Sequence, residues 1–365
     1  MKIVVIGTRG IPEIQGGVET HCQQLYPRIA AMGHDVTIVR RTPYTEASPG
    51  LKEYGGVKLV DVYAPRKKSV EAVVHTALAV IKARRLNPDI IHVHAIGPGL
   101  MVPFARLMGM KVVSTNHGPD YDRQKWGRLA KTALKTGERM SARWSNKVIV
   151  ISKVIANILA SRYGRTDTEL IFNGVEVPVK SARTDYISSL GLEPGKYVVA
   201  VGRFVEEKGF HDLIEAFAKV SPQGFRLAIA GDADHEDAYS RSLKELARKH
   251  DVVLTGFIRG EKMNQLMTNA ALFCLPSYHE GLPIVLLEAM SYGIDVAVSD
   301  IPANLLPALE DKDFYPVGDV DALAALLQRK LDNNATPRVY DLSPYNWDNI
   351  ARQTVELYQR VLNHT

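Results

Sequence analysis

The 365 residues include 45 Lys and Arg against 40 Asp and Glu, with 46% hydrophobic and 23% charged residues. This is the size and balance of a soluble globular protein with room for two sizeable cores. Two cysteines, Cys22 and Cys274, exclude a disulfide framework and a cysteine metal cluster and suit a reducing cytoplasm, while no apolar run is long enough to span a bilayer.

The chain opens on a strand pattern, Lys2–Gly7, rather than a signal peptide. A glycine-rich loop, Gly7 to Glu19, leads into a helix over Glu19–Met32 with apolar positions at Leu25, Ile29 and Met32. Strand patterns follow at Asp35–Val39, Val57–Val62, Ile90–Val93, Lys111–Thr115 and Lys147–Ile151, with helical spacing between them, as in Val70–Arg85. Strands alternating with helices predict a doubly wound parallel sheet. A turn-rich stretch with Pro178 and Pro194, Val175–Lys196, reads as a linker. The alternation then restarts with strands at Tyr197–Val201, Arg226–Ala230, Val252–Leu254, Ala271–Leu275 and Val296–Val298. An amphipathic helix, Trp347–Leu362, closes the chain and is expected to return to the first domain. The expected division is 1–175 plus 346–365 for one domain and 176–345 for the other, facing each other across a cleft at the carboxyl ends of their strands. Charge divides unevenly: residues 1–175 hold 26 Lys and Arg against 13 Asp and Glu, and residues 176–365 hold 19 against 27. The basic half is therefore expected to meet an anionic ligand or surface.

The chemistry-bearing residues fall at predicted strand ends. Around position 280 a strand gives way to a polar turn with Glu280, then Gly281-Leu282, then a helix opening at Pro283 that carries Glu288. The turn's backbone N–H groups and the helix start suit a phosphate, so two carboxylates and an anion site lie together. Arg203 and Lys208 flank another strand-to-helix turn and can both reach one diphosphate, Arg as a fork and Lys as a point charge. Fixed cations there favour the transition state in which charge accumulates on a departing diphosphate. Gly16-Gly17 stand before a helix without matching the G-x-G-x-x-G dinucleotide fingerprint, which disfavours NAD or FAD, yet they allow close approach of a phosphate or sugar. His117 follows a strand and can hydrogen-bond a sugar. The region Arg123–Lys147 is basic and carries an imperfect apolar stripe (Trp126, Leu129, Ala133, Met140, Trp144), a pattern that can lie on anionic lipid headgroups. No nucleic-acid recognition motif accompanies it. No metal spacing stands out; Asp232 and Asp234 form a lone pair, and His92 and His94 read as structural.

Together these residues resemble retaining glycosyltransferases of family 4, with the two-domain GT-B fold. The resemblance spans nearly the whole chain and is most specific at Glu280 through Glu288, the family's Glu-x7-Glu motif, with support from Arg203/Lys208, His117-Gly118, Gly16-Gly17 and Asn173-Gly174-Val175. It implies that Arg203 and Lys208 hold the donor diphosphate, Glu280 bonds donor-sugar hydroxyls, Glu288 bonds the ribose, His117 lies beside the transferred sugar, and Gly16 and Gly17 line the phosphate or acceptor loop. Backbone at Gly256-Phe257-Ile258 would meet the base, and Gly281 and Leu282 would face phosphate. No cofactor or metal is expected. The partners implied are a nucleotide-sugar donor and a saccharide or lipid-linked acceptor, with no nucleic acid, at a cytoplasmic location that is peripheral to the membrane through Arg123–Lys147. The run from His117 to Trp126 resembles a bacterial subgroup of surface-polysaccharide assembly. Two other readings stay open on the residues alone: a UDP-sugar 2-epimerase and a non-catalytic nucleotide-sugar-binding module.

Overall fold

The computed structural model describes residues 1–14, 16–45, 48–66, 71–118, 127–220, 224–233, 236–332 and 337–363, with the side chain of residue 129 excepted. The chain divides into two compact units, Met1–Gly174 with Pro344–Thr365, and Val175–Ser343.

The first unit is built on an eight-stranded sheet. Its strands are β1 (Lys2–Ile6), β2 (Asp35–Arg41), β3 (Glu53–Tyr54), β4 (Val57–Val62), β5 (Ile90–His94), β6 (Val112–Asn116), β7 (Lys147–Val150) and β8 (Glu169–Leu170). They are ordered β3-β4-β2-β1-β5-β6-β7-β8. Every pairing is parallel except β3 with β4. The continuous apolar run of β1 follows from burial on both faces. Ile3 and Val5 enter one core with Tyr26, Trp347 and Tyr358, whereas Val4 and Ile6 enter another with Val39, Ala79 and Val93. The C-terminal helix Trp347–Asn363 belongs to this unit and packs its Trp347, Ile350 and Tyr358 against Leu25 and Tyr26 of the helix Gly17–Ala31.

The second unit has a six-stranded, wholly parallel sheet. Its strands are β9 (Tyr197–Val201), β10 (Arg226–Ala230), β11 (Val253–Gly256), β12 (Leu272–Leu275), β13 (Asp295–Ser299) and β14 (Phe314–Tyr315). The order is β11-β10-β9-β12-β13-β14. Sequence order reverses between β9 and β12, and in the first unit between β1 and β5. In open α/β sheets ligands bind outside the carboxyl ends of strands at such a reversal.

Local chemistry sets the element ends. Ser152 caps the helix Lys153–Tyr163 by accepting the Ile155 amide at 3.4 Å, and Gly164 ends it in the left-handed region at φ 67°, as cap preferences require. The short strands β3, β8 and β14 escape sequence reading because two residues carry no period.

Candidate active site

The reversal point of the second unit gathers the acidic and basic motifs. Arg203 follows β9. Lys208 ends the single 3₁₀ turn Glu206–Lys208, which stops at Gly209 in the left-handed conformation (φ 63°). A Cβ at Gly209 would meet the Pro276 carbonyl oxygen at 2.1 Å, so only glycine lets this turn lie against the end of β12. The result is a direct contact. Lys208 Nζ donates to Glu280 Oε1 at 2.5 Å, and Ser277 Oγ donates to the same oxygen at 2.7 Å. Among the described residues both bonds fall on Oε1, and Oε2 carries none. The pair is mostly enclosed, with side-chain exposures of 17% and 11%. Behind it, Ser299 Oγ donates to the Ser277 carbonyl at 2.6 Å, and Asn304 Nδ2 donates to both Ser299 oxygens at 3.0 Å. This buried polar ladder fixes the Glu280 turn to β13. Leu282 is buried, and Pro283 caps the helix Ile284–Ser291. Glu288 is the solvent-exposed residue between buried Leu287 and Ala289. It is nevertheless closely surrounded by protein, and the resulting desolvation pushes its carboxyl up to about 7. At the end of β11, Gly256 has φ 66° with open space where a Cβ would stand, and Ile258 is buried beside exposed Phe257.

The reversal point of the first unit gathers histidines. His117 follows β6 and is half-buried. Its turn is held by a buried relay: the Gly118 amide donates to Asn116 Oδ1 at 2.9 Å, Asn116 Nδ2 donates to Glu138 Oε1 at 3.1 Å, and Tyr163 Oη donates to Glu138 Oε2 at 2.9 Å. His117 Nε2 lies 2.9 Å from His94 Nδ1 at the end of β5. His94 Nε2 lies 2.5 Å from Tyr26 Oη, and Tyr26 Oη lies 2.9 Å from His92 Nδ1. His21 stands beside His117 with ring centroids 5.0 Å apart, its Nδ1 2.7 Å from Asn173 Oδ1. Burial lowers the basicity of the whole group, to about 4 for His21, about 3 for His92 and well below the usual value for His94 and His117. The imidazoles are therefore neutral at physiological pH.

Two family profiles tile the chain. Glycosyltransferase Family 4 matches residues 15–178, and Glycosyl transferases group 1 matches residues 183–347. The chain is a family 4 glycosyltransferase. An uncharacterised glycosyltransferase of Methanocaldococcus jannaschii is 28% identical over 98% of each chain. A GDP-mannose:cellobiosyl-diphosphopolyprenol alpha-mannosyltransferase of Xanthomonas oryzae is 27% identical over 78% of this chain and 77% of its own. Among solved structures, sucrose-phosphate synthase of Thermosynechococcus elongatus superposes with a TM-score of 0.81 at 23% identity, covering 100% of both chains. The glycosyltransferase thus has the GT-B fold of two Rossmann-like parallel-sheet domains, as its sequence pattern predicts, and it is a retaining enzyme that uses nucleoside-diphosphate-sugar donors.

The two loop glycines of this glycosyltransferase differ. Gly16 has φ 147°, and a Cβ there would meet Glu19 Oε2 at 2.0 Å. Glu19 is itself buried and accepts from Thr8 Oγ1 at 3.2 Å and the Arg9 amide at 2.9 Å. Gly17 begins the helix two residues earlier than the sequence suggests and has open space around it. Gly16→Ala is therefore expected to lower the melting temperature. Gly17→Ala is expected to leave stability within about 0.5 kcal/mol of wild type, as melting curves of the two variants measured side by side will show.

The basic stretch is a helix over Arg128–Trp144; Arg123, Lys125 and Trp126 lie outside the described residues, as do Pro119–Asp122 of the His117 motif and Asp234. Its buried face is not the apolar stripe. Gly137, Glu138, Ser141 and Ala142 face the protein, whereas Ala133 and Met140 are half-buried and Trp144 is 40% exposed. Backbone approach explains the choice of face: a Cβ on Gly99 would meet the Gly137 carbonyl oxygen at 2.4 Å. Arg128, Lys135, Arg139 and Arg143 are exposed.

Sequence reading missed two features. Glu138, an isolated acid in a basic run, is the buttress of the His117 turn. His21 and His94 join His117 from a helix and a strand far apart in sequence, so the reading of His94 as a merely structural residue is incomplete. No local spacing announces either.

Proposed function

We propose that the enzyme transfers a hexosyl group from a nucleoside-diphosphate sugar to a saccharide or lipid-linked acceptor in cell-surface polysaccharide assembly. The observation that carries this reading is the Lys208–Glu280 contact at the strand-order reversal of the second unit, a cation and a hydroxyl-binding carboxylate held together where α/β sheets bind ligands. The second unit binds the donor. Arg203 and Lys208 take the diphosphate, Glu280 takes sugar hydroxyls through Oε2, Glu288 takes the ribose, the Gly281-Leu282 backbone assists the phosphate, and the backbone at Gly256 and Ile258 meets the base. The first unit serves the acceptor. Neutral His117 offers the transferred sugar a hydrogen bond without adding positive charge near an anomeric carbon that is itself becoming cationic. Gly16 and Gly17 leave backbone open to phosphate or acceptor. The acceptor hydroxyl attacks on the face that the diphosphate leaves, which retains configuration, and the departing phosphate takes its proton. The lipid-linked acceptor finds support in the Xanthomonas relative and in the exposed basic face of the helix Arg128–Trp144, which suits anionic headgroups. Among the described residues no helix is long and apolar enough to cross a membrane.

The test screens UDP-, GDP-, dTDP- and ADP-sugars by thermal shift, then follows the labelled sugar with and without an acceptor extract and anionic vesicles. Acceptor-dependent glycoside formation supports the proposal. An isomerised donor sugar formed without acceptor would identify an epimerase instead, and binding without turnover would identify a binding module.

Glu288 adds a pH dependence. Its carboxyl is raised, so it is largely protonated below about 7 and a protonated acid is a poorer acceptor for ribose hydroxyls. A nucleotide sugar itself does not titrate in this range. Donor affinity is expected to be weaker at pH 6 than at pH 8, by at most about tenfold because solvent screens the exposed carboxyl, and Glu288→Gln should flatten the profile in calorimetric titrations; an unchanged profile in the variant removes Glu288 from the ribose site.

A further inference from the structure

We propose that His21, His94 and His117 form a binding site for a borderline divalent cation of the zinc class, whose occupancy blocks transfer. The three come from separate elements: the helix Gly17–Ala31, the end of β5 and the turn after β6. One nitrogen of each lies within 4.8 Å of the other two. A tetrahedral zinc with bonds of about 2.0–2.1 Å needs ligand nitrogens about 3.4 Å apart, so the 2.9 Å His94–His117 separation must widen by about 0.5 Å and the longer separations, at most 4.8 Å, close by up to about 1.4 Å, chiefly by movement of the His21 ring.

Protonation and orientation favour the ion. Burial keeps all three rings neutral, the form that ligates. Metal-ligating histidines ordinarily give their other ring nitrogen to an oxygen, which fixes the tautomer. Here Asn173 Oδ1 stands 2.7 Å from His21 Nδ1, which leaves Nε2 as the ligand atom. Tyr26 Oη stands 2.5 Å from His94 Nε2, which leaves Nδ1. Trp347 packs edge-on to His21 with centroids 5.5 Å apart and, with Tyr26, limits water around the rings. The proton now shared between His94 and His117 moves to the other nitrogen of whichever ring holds it, so ligation needs no net proton loss from the triad. Imidazoles favour zinc, copper and nickel over magnesium or calcium, which prefer oxygen donors.

The ion would occupy His117 Nε2. The inhibitory consequence therefore rests on the reading of His117 as the residue beside the transferred sugar, whereas binding of the ion does not. The experiment titrates the full-length protein with Co²⁺, reading the visible absorption of a tetrahedral nitrogen site, then displaces it with Zn²⁺ and measures stoichiometry by calorimetry. One ion per chain is expected, with His21→Ala and His117→Ala each weakening it at least tenfold, Asn173→Ala about tenfold, and His250→Ala, in the second unit, not at all. His94 is fully buried, so if His94→Ala fails to fold the His21 and His117 variants carry the test. An absence of tetrahedral absorption, or unchanged affinity in both variants, overturns the site. Binding that needs the triad but leaves transfer uninhibited would keep the site and reject the placement of His117 beside the sugar.

Discussion

Replacing Glu280 by alanine is expected to lower kcat/KM for sugar transfer by about 10²–10³-fold, or about 2.7–4 kcal/mol of transition-state stabilisation. In the proposed function the carboxylate has two tasks. Oε1 receives Lys208 Nζ at 2.5 Å and Ser277 Oγ at 2.7 Å, which aims the ammonium, while Oε2 is available to donor-sugar hydroxyls. Alanine removes the sugar contact and frees the lysine to sample its other rotamers, so the diphosphate loses a pre-positioned cation as its charge grows. Lys208→Ala removes the cation directly and should cost a similar factor. Because the two side chains act as one unit, the double variant should lose far less than the product of the single losses. Glu280→Gln keeps the shape and one acceptor oxygen, and should fall between. Steady-state kinetics on the four variants and wild type, with melting temperatures alongside, checks the set. Transfer by Glu280→Ala at the wild-type rate would remove Glu280 from the site, and fully multiplicative losses would show that the 2.5 Å contact is incidental.

The candidate site in the second unit was legible in the sequence because the residues proposed for it are local. Arg203 and Lys208 sit within one strand-to-helix turn, Glu280 within another and Glu288 on the helix that follows it, and the apolar runs around them announce β9, β12 and the helix Ile284–Ser291. That the two turns meet followed from topology: once the strands are parallel and doubly wound, a strand-order reversal must bring two such ends side by side. The register of the meeting was not legible. It depends on Gly209, whose missing Cβ lets the first turn touch Pro276, and no pattern of hydrophobicity carries that information. In the first unit the situation is reversed. His117 stands out as a polar residue at a strand end, but its neighbours His21 and His94, and the Asn173 and Tyr26 that hold them, lie in no one window of sequence. The basic helix shows a third case. Its apolar stripe marks one face, but close backbone packing at Gly99 and Gly137 buries another, leaving Trp144 to solvent and drawing Glu138 inward. Packing overrode periodicity there because two glycines permit an approach that side chains would prevent.

Replacing Lys330 by methionine is expected to destabilise the second unit by about 3–5 kcal/mol, since breaking a buried ion pair leaves an uncompensated charge behind. Lys330 Nζ donates to both Asp295 oxygens at 2.9 and 3.0 Å and to Asp313 Oδ1 at 2.9 Å. Its side chain is 7% exposed, and Asp313 is fully enclosed. Arg338 remains on the other side, 2.6 Å from Asp313 and 3.2 Å from Asp295, which places the expected cost toward the lower end of the range. The pH dependence separates lost charge pairing from lost packing. Burial alone would raise the Asp313 carboxyl, but hydrogen bonds from Arg338, the Glu310 region and Lys330 hold it below its ordinary 3.8. A depressed carboxylate contributes stability that is present above its unfolded value and lost as pH falls through its folded one. The wild-type advantage over Lys330→Met should therefore be full at pH 7 and shrink below about pH 4, where the variant's Asp313 becomes protonated and no longer needs a cation. A packing defect would persist at every pH. Tryptophan fluorescence is blind to this unit, because Trp126, Trp144 and Trp347 all lie outside Val175–Ser343; hydrogen exchange across β13 reports it directly. Equal protection of β13 in variant and wild type at pH 7 would show that Arg338 alone satisfies both aspartates. Loss of protection that does not vary with pH would assign the role of Lys330 to its aliphatic stem.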